Sequence, residues 1–273
     1  MSSNKDNFNE EEFKKIFDAL SEDLINAGYH FRLYQNLEKS MGKYERERKQ
    51  CPAFWELTIK AHLEISFLYL CRAYDTSNNE GEKKALSLKE LINLIRKNTD
   101  LFRPEDLERR FKSRVESHSF PDILLPVLNE QLKQDLQNQT LPDKLDEDLK
   151  FVYKSDKSGE NFLVKNLTKA RSNFIAHRNI GQTLNDSLDP LTTEGVEELI
   201  EKGLEICNRY RAYFDGSNQL PHLGGEDDYK GILKYIRIGL KAIDFKNGIE
   251  PDPYTTGIKA IEFSQQIDHD LSN

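Results

Sequence analysis

The sequence is poor in residues that break helices. Fourteen Gly and nine Pro among 273 residues leave few turn signals, which argues against a fold built from many short strands. The three cysteines, Cys51, Cys71 and Cys207, form no Cys-x-x-Cys pair and no ligand cluster. That leaves no disulfide framework and no thiolate metal site to read from spacing. No apolar run approaches the roughly 18 residues that span a bilayer. The longest, around "ISFLYL", is bracketed by Glu64 and Arg72. The opening "MSSNKDNFNEEEFKK" is polar and acidic, unlike a signal or transit peptide. The expectation is a soluble cytoplasmic protein with reduced thiols and no membrane contact. Also missing are a GxGxxG turn, a P-loop, an HExxH pair, internal repeats and convincing strand pairs. Positive charge is short overall. The net charge is −8 and the sequence pI near 5.4, so a global basic footprint for nucleic acid is excluded and any such contact must be local.

Apolar material is present in quantity. Fifteen Phe, eleven Tyr and a hydrophobic share of 37% beside 32% charge describe a charge-rich chain able to form a sizeable core. Phe13, Ile16, Phe17, Leu20 and Leu24 fall on one helical face over 10–27. The run "KYERERK" at 43–49 alternates in sign and reads as a solvated helical surface. Residues 53–75 carry two adjacent stripes. One is Phe54, Thr58, His62, Ile65 and Tyr69; the other is Trp55, Ile59, Leu63, Ser66 and Leu70. This predicts a central helix with a wide buried face, and His62 as a core histidine. "SLKE" at 87–90 is a capping box that opens a helix ending near Asn98. Helical pieces over 104–138 are broken by Pro121 and Pro126, and "TLPDKLDEDLK" opens another. "SDKSGE" (155–160) is a loop, a helix covers 161–178, and Asp189-Pro190 is a start signal for a long helix through "EELIEKGLEICNRYRAYF". A linker over 215–228, a helix over 229–244 and a last helix at roughly 256–270 complete the pass. The reading is an all-α bundle. It divides into an N-terminal helical extension (1–50), a helical bundle (51–215), and a linker with C-terminal helices expected to pack on the bundle (216–273).

One stretch stands apart. "NLTKARSNFIAHRNIGQ", Asn166 to Gln182, closes a helix with Arg171 and His177, six positions apart. Leu163, Leu167, Ala170 and Phe174 form its apolar stripe. At about 100° per residue Arg171 lies to one side of the stripe and His177 to the other. Arg178 falls beside Arg171, Asn173 beside His177, and Gly181 is placed to end the helix. From Asn161 to Asn185 there is no Asp or Glu, while Lys165, Lys169, Arg171 and Arg178 give +4. A basic island in an acidic chain is what a polyanion site needs. The bland alternative is a helix C-terminus whose dipole favours cations, typically by about 0.3–1 kcal/mol.

"ARSNFIAHRN" resembles the signature of the HEPN superfamily, an Arg, four to six residues, then a His. "FWELTIKAHLEISFLYLCRAYD" followed by "LSLKELI" resembles the first half of AbiU-type HEPN proteins, which are linked to abortive infection and toxin systems. "GGEDDYKGILKYIRIGL" is similar to that family's tail. The resemblance implies a HEPN-like up-and-down helical bundle with additional N- and C-terminal helices. It also implies a homodimer in which Arg171 and His177 of both copies meet in a cleft, metal-independent endoribonuclease activity, and no cofactor. Asn173 would support the pair, as would Arg178. Lys165 and Lys169 would contact RNA, and Arg72 and Asp75 would stand behind the motif helix. An antitoxin or defence-system partner is a further implication. Some members carry a Tyr two positions after the His that a partner modifies; here Asn179 stands there, so that control is not expected. The alternatives are a non-catalytic HEPN module that binds nucleic acid, nucleotide or a partner protein, and a helical scaffold.

Overall fold

The computed structural model describes residues 9–75, 85–117, 126–127, 130, 141–152, 162–170, 191–219, 224–225 and 227–247. The fold is all-α, and no strand occurs among the described residues. The helices are α1 (Glu10–Ser40), α2 (Glu45–Arg48), α3 (Pro52–Ala73), α4 (Leu88–Lys97), α5 (Pro104–Ser117), α6 (Leu141–Val152), α7 (Phe162–Ala170), α8 (Thr193–Asp215) and α9 (Tyr229–Lys246). A 3-10 turn, Thr99–Phe102, lies between α4 and α5. Two compact units interleave in sequence: Met1–Gly28 with Glu64–His222, and Tyr29–Leu63 with Leu223–Asn273. The predicted loop at 155–160 and the last helix at 256–270 lie outside the described residues. Among the described residues no helix is long and apolar enough to cross a membrane.

In the first unit the α1 stripe is the core. Phe13, Phe17, Leu20 and Leu24 are buried, and Phe13 and Phe17 join Phe102 and Phe214 in an aromatic cluster with centroids 5.6–6.4 Å apart. Such ring pairs add about 0.5–1.5 kcal/mol each beyond area burial. The helix ends carry the expected caps. The Ser87 hydroxyl accepts from the Glu90 N–H at 3.4 Å, and α4 stops at Lys97 with Asn98 as its cap. The α8 start falls at Thr192 rather than at Asp189-Pro190, because the Thr192 hydroxyl accepts from the Gly195 N–H at 3.1 Å. Its end is Gly216, whose φ of +68° is left-handed backbone that suits glycine. Gly203 marks a close approach of α8 to α1. A Cβ there would stand 2.6 Å from a Leu24 methyl and 3.1 Å from the Tyr74 hydroxyl.

In the second unit Leu37, Tyr44, Trp55, Tyr229 and Leu233 form the core. The Tyr229 hydroxyl lies 2.7 Å from the Ser40 hydroxyl and donates to the Asn36 carbonyl at 3.0 Å. The charged run 43–49 departs from its sequence reading. Tyr44 is 2% exposed and Glu47 only 3%. Glu47 accepts from the Arg237 guanidinium, which also lies over the Tyr44 ring at 4.6 Å. Alternating charge looked like surface because the partner cation sits 190 residues away.

Candidate functional site

The motif helix is anchored at its start. In α7, Val164 and Leu167 are buried at 0 and 1% exposure, and the polar Asn166 is buried beside them. Leu163 and Ala170, assigned to the same stripe from spacing, are half-buried, and Phe162 is exposed. The buried face is therefore centred on Val164 and Leu167. Two helices of the same unit hold it. The Cys71 thiol of α3 donates weakly to the Leu167 carbonyl at 4.0 Å. Gly195 of α8 lies so close to Leu163 that an added Cβ would stand 2.9 Å from its methyl. A side chain at Gly195 would push the Leu163 methyl aside on α7, the helix that leads into "ARSNFIAHRN".

Arg171, Asn173, His177 and Arg178 lie outside the described residues, as does Phe174. Lys169 is within α7, but its side chain is outside the described set. Lys165 is on α7 and half-buried. Arg72, near the end of α3, is two-thirds exposed, with its guanidinium 3.2 Å from the Asp23 carboxylate of α1 and 5.6 Å over the Tyr69 ring. Burial pushes the Asp23 carboxyl above its ordinary range, although Arg72 pulls it down. The Asp75 N–H donates to the Arg72 carbonyl at 3.3 Å, which closes α3. The Arg72–Asp23 ion pair ties α3 to α1 one residue from the Cys71 contact with α7.

The second unit holds an imidazole pair that sequence reasoning missed. His30 of α1 and His62 of α3 face each other with their Nδ1 atoms 2.8 Å apart and their rings stacked at 5.1 Å. Tyr29 meets His30 edge-on at 5.8 Å. Both rings are half-buried, so His62 is not sealed in the core as its stripe predicted. The only sequence signal was His62's place on a helical stripe; nothing linked it to His30, 32 residues earlier. One ring must donate and the other accept, so at least one is neutral. Burial pushes both imidazoles below their ordinary value, and for His30 the facing His62 adds to the effect. The folded state then binds protons less readily than the unfolded state. Stability is full above the unfolded imidazole value near 6.5 and is lost as pH falls below it. Urea midpoints measured between pH 7.5 and 5.0 should fall with pH, and His62→Gln should flatten that slope. An unchanged slope in the variant would remove the pair as its source.

A comparison with curated proteins and another with solved structures gave no match. A family model described as AbiU2, of the HEPN type, matches residues 10–232. That span takes in α1 to α8, the start of α9 and the whole Arg171–His177 motif, and the chain belongs to the HEPN-type AbiU2 family.

Proposed function

We propose that this protein is a metal-independent endoribonuclease that works as a homodimer in the cytoplasm, as a toxin or phage-defence effector. The observation that carries the reading is the Arg171–His177 pair in an acid-free +4 window of a chain of net −8, inside the AbiU2 match. RNA brings its own nucleophile. The 2′-oxygen attacks the adjacent phosphorus, the P–O5′ bond breaks, and the products are a 2′,3′-cyclic phosphate and a 5′-hydroxyl. One imidazole takes the 2′-OH proton and another protonates the departing O5′. Each chain offers one such histidine, so a two-fold dimer supplies the second. Arg171 grips the phosphate oxygens with its planar fork as charge develops. Asn173 orients the histidine or the substrate, while Arg178, Lys169 and Lys165 hold flanking phosphates.

The test is incubation of the full chain with mixed RNA in excess chelator. The expected result is cleavage at the rate seen without chelator, with 5′-hydroxyl ends that a kinase can label directly. Cleavage that stops in chelator, or 5′-phosphate ends, would overturn the mechanism. RNA binding without any cleavage would support the non-catalytic HEPN module instead.

A further inference from the structure

Helix α9 carries its apolar residues on two sides. Tyr229 and Leu233 enter the core of their unit. Ile232, Tyr235 and Ile243 are 54, 75 and 55% exposed, and Gly239 and Ala242 beside them are exposed as well. These positions step by three, four, three and one residues, so they form one solvent-facing stripe. A Cβ at Gly239 would meet nothing within 4 Å. The charged residues Lys230, Lys234, Arg237, Lys241 and Asp244 lie on the other side of the helix. Arg237 is held by Glu47, Asp244 by Arg46 and Lys230 by Asp227. A helix that turns its uncharged face outward is missing a layer.

We infer that this stripe is the docking surface for the chain's own C-terminal segment, residues 248–273, folded back against α9. Two observations select this occupant. The segment starts where α9 ends, and its 26 residues suffice for a turn and a helix of 15 residues over 256–270. At about 1.5 Å per residue that helix is some 22 Å long, against about 16 Å from Ile232 to Ile243. Pro251 and Pro253 suit the turn. Ala260, Phe263 and Ile267 recur at steps of three and four, with Leu271 one turn beyond, which supplies a complementary apolar stripe.

Hydrogen exchange on the full chain tests the inference. Amides of 258–270 should exchange at least about tenfold more slowly than unstructured amides, independently of protein concentration. Tyr235→Asp with Ile243→Asp should abolish that protection while the amides of 233–241 keep theirs. Phe263→Asp with Ile267→Asp should do the same from the segment's side without touching α9. Unprotected amides over 258–270 in the wild type would overturn the inference. So would protection that survives either double variant. Protection that appears only at high protein concentration would assign the face to a second copy, which also overturns it.

Discussion

Replacing His177 by Ala should slow RNA cleavage by about 10²–10⁴-fold, the range for loss of a general acid or base, while RNA affinity is nearly kept. The split follows from the roles. An imidazole moves protons during the reaction but contributes little to ground-state phosphate binding. Arg171→Ala should lower both affinity and turnover, since the role proposed for its guanidinium is to hold the phosphate before and during the reaction. Arg171→Lys should restore charge but not the fork, and recover only part of the rate. A mixing experiment tests the shared cleft. If each dimer has a single site needing both copies of His177, equal co-expression of wild type and His177→Ala leaves about a quarter of the activity; independent sites leave about a half. A His177→Ala protein as active as wild type would remove this residue from the chemistry. A half rather than a quarter would remove the composite site and leave the histidine.

The same stretch shows how far residue types reach. Arg171 and His177 stood out by kind and by charge context, but an apolar stripe places a helix face only to within a position or two. Spacing gave Leu163 and Ala170 equal weight with Leu167, whereas Val164 and Leu167 are the sealed pair. The α1 stripe from Phe13 to Leu24 was legible because its residues bury completely. The continuation of α1 through Gly28 to Ser40 was not, since glycine lowers local helix propensity and the fully buried apolar residues beyond it, Phe31 and Leu37, are too sparse to mark a stripe. Charged residues misled most. Periodicity treats every Glu and Arg as surface, yet Glu47, Asp148 and Arg110 are buried at 3, 3 and 8% exposure. Each is sheltered by partners 61 to 190 residues away, and no local pattern reports that distance.

Asp148 provides the largest expected stability effect. Its Oδ2 accepts from the Tyr210 hydroxyl at 2.7 Å and from the Arg209 guanidinium. Tyr210 is fully buried, and burial, with the carboxylate beside it, pushes its phenol well above the ordinary range. The pair ties α6 to the C-terminal third of α8. Asp148→Ala leaves the phenol without its acceptor and takes one of two carboxylates from Arg209, which retains Glu205. Removing one member of a buried charged pair costs about 3–5 kcal/mol. The remaining Glu205 contact favours the lower end, so a loss of about 3 kcal/mol is expected in urea unfolding with an unchanged m-value. Asp148→Asn keeps an acceptor for Tyr210 and should lose about half as much. Tyr210→Phe on the Asp148→Ala background removes the stranded hydroxyl, so the double variant should be more stable than the sum of the single losses. Strict additivity would mean that the 2.7 Å contact carries no coupling, and that Asp148 acts on the α6–α8 packing through Arg209 alone.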